Sequence, residues 1–231
     1  PMKTVWAYVR ALRMRGVRIE KFTEVKEVFI ESGRVKGVGT NKGSIFAPVV
    51  VNAAGGWSQL VARLAKLELP VISERHQILV TEPVDHLFDC MVISFKTGLY
   101  IQQVPHGSLL GGISEPEEPG FNMESSWQFV KHFTKEATRI LPILKNIRIV
   151  RQWAGLYNKT PDAQPILCES DEVQGFYLAC GFSGHGFMVS PMTGEIIASL
   201  ITKSEPPFDV SYFSMKRFKE GKLIVEPSVV G

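Results

Sequence analysis

The sequence has 231 residues, of which 45% are hydrophobic and 21% charged, enough chain to bury well over half of its unfolded surface without disulfide support. With 26 basic against 23 acidic residues and a net charge of +3, it lacks the polybasic character of a nucleic-acid or anionic-membrane partner. Cys90, Cys168 and Cys180 are odd in number and share no CxxC spacing, which reads as free thiols in a reducing cytoplasm rather than a disulfide or metal framework.

The longest apolar stretch, near Ile45–Gly55, is too short and too interrupted to span a bilayer. No charged start followed by an apolar core marks a signal peptide. A soluble, cytoplasmic protein without a membrane span or a metal site is expected.

Val5, Val9 and Leu12 recur at helical spacing while Lys3, Arg10 and Arg13 take another face, so Met2–Arg15 is predicted as an amphipathic helix stopped by Gly16. Arg18–Ile30, Arg34–Thr40 and Ser44–Asn52 are rich in Val, Ile, Phe and Thr and separated by turn residues, the pattern of a β-meander. A buried strand, Val49–Val51, runs into Ala53-Ala54-Gly55-Gly56, and Ser58–Lys66 follows as a short helix.

Beyond Pro70, Glu74–Thr81, Met91–Phe95, Leu99–Val104 and Ser108–Ile113 are predicted strands. A Pro-, Glu- and Gly-rich loop, Ser114–Gly120, precedes a second amphipathic helix with Val130, Phe133, Ala137 and Leu141 on its apolar face, closed by Pro142. The chain returns as a strand over Ile147–Tyr157, a loop to Glu172, and a strand over Phe176–Cys180. A Gly-rich turn then leads to a helix carrying Met192, Ile196, Leu200 and Ile201 on one side. The tail after Lys203 is polar, and its last residues are expected to be disordered. Turn signals divide the chain into a discontinuous lobe, residues 1–68 plus 146–231, and an inserted sheet-and-helix lobe, 69–145.

The sharpest chemical signal is Gly181-Phe182-Ser183-Gly184-His185-Gly186-Phe187-Met188, between an apolar strand and an apolar-faced helix. Three glycines in six positions point to positive φ angles or a close backbone approach. A helix N-terminus there offers unpaired N–H groups and a positive dipole end to an electron-rich acceptor. The alternative is a tight strand-to-helix turn without a ligand. The same segment nearly matches the G-x-S-x-G elbow of serine hydrolases, with Ser183 at the nucleophile position. His185 stands where that elbow needs a small residue, and no ordered Asp-then-His pair follows, so a hydrolase is a poor rival.

Two further segments carry ligand signals. Val49–Ser58 ends a strand in small residues, where α/β sheets bind cofactors. Trp153–Pro165 places Gly155 within an aromatic strand, which suggests something packed flat against the backbone. For each, ordinary packing is the competing explanation.

Taken in order, these segments resemble the D-amino-acid-oxidase-like flavoenzyme family, most closely its sarcosine oxidase β-subunit and L-proline dehydrogenase β-subunit branch, over nearly the whole chain. The resemblance implies an α+β or α/β fold: the C-terminal part of a two-lobed, glutathione-reductase-like FAD-binding fold with an antiparallel-sheet substrate lobe. It implies FAD as cofactor, met by Val25 (through Thr23-Glu24-Val25), by Ala53, Gly55 and Trp57, by Gly155, and by Gly181, Gly184, His185, Gly186, Phe187 and Met188. His185 is expected to shape the turn rather than act as a base. The implied reaction oxidises a secondary amine or an amino or imino acid, sarcosine- or proline-like, by hydride transfer to the flavin, whose electronics the protein tunes.

Relatives hold a substrate carboxylate with a Lys where this chain has Met188 or an Arg where it has Tyr157, so substrate identity does not carry over. Arg75, Tyr100, Tyr157 and Lys159 are the candidates for lining the substrate pocket. The Cys that some relatives link to flavin would fall near Gly155, and Cys168 lies beyond it, so no covalent link is expected. Oxidases of the family can set a Lys over the flavin where Leu110 stands here, which implies slow reaction with O₂ and electron transfer to a partner subunit or carrier. The GxGxxG turn of the family is absent from the sequence. The chain is therefore expected to be a section of a longer enzyme that by itself binds FAD poorly or not at all, or a subunit completed by a separate nucleotide-binding chain.

Overall fold

The computed structural model describes residues 1–224. Its elements in chain order are α1 (Met2–Met14), β1 (Val25–Glu31), β2 (Arg34–Thr40), β3 (Gly43–Phe46), β4 (Val50–Asn52), α2 (Ser58–Leu64), β5 (Ile72–Pro83), β6 (Val92–Ser94), β7 (Leu99–Gln103) and β8 (Ser108–Gly112). They continue as α3 (Trp127–Ile140), β9 (Ile149–Lys159), β10 (Ile166–Glu169), β11 (Phe176–Cys180), α4 (Gly186–Thr202) and α5 (Lys216–Glu220).

Three sheets organise these elements. β1, β2 and β3 form an antiparallel meander, β10, β11 and β4 a second sheet with β11 parallel to β4, and β6-β7-β8-β5-β9 an antiparallel five-stranded sheet. Val28, Val35, Ala62, Leu67, Phe176 and Leu178 share one core between the first two sheets and α2. Leu79, Leu99, Ile101, Leu109, Phe129 and Phe133 form another between the five-stranded sheet and α3. Ile196 and Ile197 of α4 pack on Leu167 and Ala179.

Each helix follows its local chemistry. Ser126 caps α3 by accepting the Phe129 N–H at 3.2 Å, the side-chain satisfaction that a first turn needs. Pro191 lies inside α4 and cannot donate to the Phe187 carbonyl, and the Ser190 hydroxyl donates there instead at 2.9 Å.

The structure departs from the sequence expectations at five places. Extended structure begins at Val25 and not Arg18, because Phe22 takes a φ of +54° and breaks the run. The segment Ser44–Asn52 is two strands in different sheets, parted at Ala47-Pro48, where proline has no N–H to continue a ladder. Val49–Val51 is not wholly buried; β4 edges its sheet and Val51 is exposed. The expected loop before Glu172 contains β10, which pairs antiparallel with β11. The lobe boundary at residue 145 is not a sheet boundary, since β9 pairs with β5 from Ile149 to Lys159 and extends that sheet. In the polar tail, α5 forms at Lys216–Glu220; the last residues of that tail lie outside the described residues.

Pairing register fixes the two faces of the five-stranded sheet. Leu79, Leu99, Ile101 and Leu109 point at α3. His76, Ile78, Tyr100, Leu110, Gly112, Trp153, Gly155 and Tyr157 therefore share the other face, through the pairs His76↔Gly155, Ile78↔Trp153, Ile78↔Gly112 and Tyr100↔Gly112.

Candidate functional site

This second face carries a group of polar and aromatic side chains in mutual contact. His76 stacks on Tyr157 with ring centroids 4.5 Å apart, and its Nε2 lies 3.1 Å from the Tyr100 hydroxyl. Burial, and then the positive charge of Lys159, lower the His76 pKa from its usual 6.5 to about 4. The imidazole is thus neutral at physiological pH. Burial raises the Tyr100 and Tyr157 phenols above their ordinary value, so both hydroxyls keep their protons.

The four residues expected to meet substrate divide between two environments. Tyr100 and Tyr157 flank His76 on the open face. Arg75 is turned to the other side, where its guanidinium donates to Glu117 at 2.8 Å and to the Glu124 carbonyl at 2.8 Å. Lys159 is held by Glu74 at 2.6 Å. His76 was not singled out in the sequence; a lone histidine in a strand carries no signal until its partners are known.

The glycine turn meets this group directly. Gly184, at a φ of +100°, sits against the Tyr157 ring, where an added Cβ would lie 2.9 Å from a ring carbon. Gly181 and Ser183 also take positive φ, +75° and +50°. The first amides of α4 have no side-chain cap, which leaves them pointing out of the helix end with the positive end of its dipole. Phe187 and Met188 are exposed beside them. His185 and Met188 also line an apolar cleft with Phe182, Met192, Phe208 and Phe213.

Ser183 is only 1% exposed. Its hydroxyl donates to the Gly181 carbonyl at 3.3 Å and accepts from the Thr160 amide at 3.4 Å. Among the described residues no histidine hydrogen-bonds to it. A serine so enclosed cannot attack an ester, which removes the structural basis for a hydrolase. Burial raises the thiols of Cys168 and Cys180 to about 11 and about 12, so neither is a thiolate nucleophile.

The other expected cofactor residues lie at varying distances along the chain from this point. Gly155 opens onto the His76 face with free space where a side chain would stand. Ala53, Gly55 and Trp57 follow β4, with Gly55 at a φ of +54° and Trp57 stacked on Phe121 at 6.3 Å. Val25 opens β1 in the separate meander. A flat glycine-floored face and an uncapped helix end suit a planar, electron-rich ring system, so the residues fit a flavin. Among the described residues no cluster of three or more acidic, histidine or cysteine side chains could hold a metal ion. None of their helices is long and apolar enough to cross a membrane.

Comparison with known proteins gives the family. A family model described as FAD dependent oxidoreductase (DAO) matches residues 1–200. The sarcosine oxidase subunit beta of Rhodobacter capsulatus is 32% identical over 226 residues, covering 98% of this chain and 54% of the relative. The hydrogen cyanide synthase subunit HcnC of Pseudomonas protegens is 31% identical, again covering 98% of this chain and 54% of the relative. Among solved structures, L-proline dehydrogenase from P. horikoshii superposes with a TM-score of 0.91 at 38% identity, over 96% of this chain and 61% of that one. Glycine oxidase from Geobacillus kaustophilus gives 0.80 at 28% identity, over 87% of this chain and 54% of that one. The chain thus spans about half the length of the curated relatives it matches. On fold, site geometry and sequence together, the chain belongs to the FAD-dependent oxidoreductase (DAO) family.

Proposed function

We infer that the protein containing this chain oxidises a small secondary amine, amino acid or imino acid of the sarcosine or proline type to the imine, with FAD as hydride acceptor. The observation that carries this is the contact between the Gly184 turn and Tyr157, which joins the uncapped end of α4 to the His76–Tyr100–Tyr157 group. FAD, when bound, supplies the electron-accepting ring. What this chain contributes is position, polarity and exclusion of water.

The α4 amides would stabilise negative charge at the ring edge nearest them. His76 and Tyr100 form a neutral donor–acceptor pair on the substrate face. A neutral, half-buried surface favours the unprotonated amine, the form whose nitrogen lone pair assists loss of hydride from the adjacent carbon. A substrate carboxylate would compete with Glu74 for Lys159, whose side chain is 33% exposed. Leu110 lies on the same face without charge, which favours a dehydrogenase that passes electrons to a partner subunit or carrier over one that reduces O₂.

The chain works as part of a larger assembly, in which a further stretch of polypeptide or a separate subunit supplies the pyrophosphate turn. In support, α1 buries none of its residues although Met2, Val5, Trp6 and Leu12 are apolar. The matched relatives include proteins named as subunits and are about twice as long as the match.

Anaerobic mixing of the flavin-loaded, full-length protein with sarcosine, L-proline and glycine tests this reading. Bleaching of the flavin absorbance by one of them is the expected result. A flavoprotein that no amine or amino acid reduces would overturn it.

A further inference from the structure

We propose that Ser73 and Asn158 form a buried polar rung that sets the position of both glycine turns against the substrate sheet, and that the two are positioning residues for the flavin end of the site. The proposal rests on the flavin reading given above.

Ser73 on β5 and Asn158 on β9 are register partners, and each is only 7% exposed. The Ser73 hydroxyl donates to the Gly56 carbonyl at 2.6 Å, anchoring the turn that follows β4. Asn158 Oδ1 accepts the Gly181 amide at 2.7 Å, and the Asn158 backbone carbonyl accepts the Ser183 amide at 3.0 Å. One rung therefore fastens the segments that leave the parallel strands β4 and β11 at their carboxyl ends, the position at which α/β sheets meet cofactors.

The glycine turn needs such an anchor. Gly181, Ser183 and Gly184 all lie at positive φ, conformations that surrounding contacts must hold for a serine. β9 is an edge strand of its sheet, and the turn wraps that edge. Tyr157 grips it from the substrate face at Gly184, while Asn158, pointing the opposite way, grips it at Gly181 and Ser183.

The rung also carries an unfavourable feature that points to a requirement for the amide. Asn158 Nδ2 is buried with no hydrogen-bond partner among the described residues, a penalty that an aliphatic side chain would avoid. An aliphatic side chain would also lose the Gly181 anchor. Because Tyr157 and Asn158 are adjacent, displacement of the turn moves the aromatic wall of the substrate face as well.

The test uses Ser73→Ala, Ser73→Thr and Asn158→Leu in the flavin-loaded full-length protein, with Gly184→Val as a reference. Flavin affinity is read by titrating the apoprotein, and the flavin midpoint potential by dye equilibration. Loss of one buried anchor should weaken flavin about fivefold or more in Ser73→Ala and Asn158→Leu and shift the potential, while Ser73→Thr, which keeps the hydroxyl that donates to Gly56, stays within about twofold of the parent. Equal losses in Ser73→Thr and Ser73→Ala would reveal a packing effect and overturn the proposal. So would unchanged affinity and potential in Ser73→Ala and Asn158→Leu while Gly184→Val releases flavin. If Gly184→Val also keeps its flavin, the turn is not a flavin site and the underlying reading fails. Should Asn158→Leu not fold, Ser73→Ala decides alone, because it removes a single hydroxyl.

Discussion

The His76 imidazole lies nearly parallel to the Tyr157 ring, at an interplanar angle of 21°, while its Nε2 stands 3.1 Å from the Tyr100 hydroxyl. A stacked, neutral histidine with one hydrogen-bond partner is held in place on two sides. Replacing it with Gln should keep flavin bound and slow flavin reduction by substrate at least about tenfold, the lower range for a lost polar group at a reacting centre. Rapid-mixing reduction kinetics at saturating substrate measure this. A parent-like rate in His76→Gln would place the chemistry elsewhere.

The lowered pKa of His76 makes a stability prediction of definite sign. Its folded value of about 4 lies below the usual 6.5, so the unfolded chain binds the proton more readily. The stabilisation is complete above pH 6.5 and is lost as pH falls from there toward 4. Between pH 7 and pH 5 this one group should contribute about 2 kcal/mol to the loss of unfolding free energy. Denaturant titrations of the parent and His76→Phe should show a smaller loss in the variant.

Asp162 and Arg217 make the most enclosed ion pair of the described residues, with side chains 0% and 4% exposed. Two hydrogen bonds at 2.7 and 3.1 Å join them, and Arg217 also donates to the Gln164 carbonyl. Burial pushes the Asp162 carboxyl up, but the guanidinium outweighs it and leaves the pKa lowered. Removing one partner strands a buried charge, so Asp162→Ala should cost about 3–5 kcal/mol. The double replacement Asp162→Ala with Arg217→Met should be less damaging than the single one. Thermal or denaturant melting of the set would settle the order.

Ser183 sits at the nucleophile position of a hydrolase-like motif yet is buried and bonded to backbone. A fluorophosphonate probe should leave it unlabelled, and Ser183→Ala should retain amine-dependent flavin reduction. Covalent labelling at Ser183 would contradict the geometry.

Leu110 lies half-buried on the face shared with His76. Reduced flavin in the parent should therefore react slowly with air, and Leu110→Lys should accelerate reoxidation about tenfold or more, since a positive charge in a dry site stabilises developing superoxide. Stopped-flow reoxidation distinguishes the outcomes; a parent rate unchanged by the lysine would sink the idea.

Legibility in the sequence followed the range over which each feature is determined. The Gly181–Met188 turn was readable because glycine spacing between two apolar segments is a local signal, and its strand and helix lie where expected. β10 was missed because four residues beyond Pro165 give too short a run to show alternation. The His76 group could not be seen, since its three members come from three strands that only pairing register brings together. Arg75 and Lys159 illustrate the same limit from the other side. Both are cations in the right strands, yet their partners Glu117 and Glu74 are distant in sequence or on a neighbouring strand, so composition could not show that their charges are already engaged.

The alternation of β9 carries a consequence for how the open face of this sheet could be altered. Tyr157 serves the open face and Asn158 the turn behind it, one peptide apart. A single-residue insertion or deletion upstream in the strand would exchange the two faces and dismantle both at once. New specificities are therefore accessible by swapping side chains at 153, 155 and 157 in place, and libraries that vary the length of this strand should yield almost exclusively flavin-free protein.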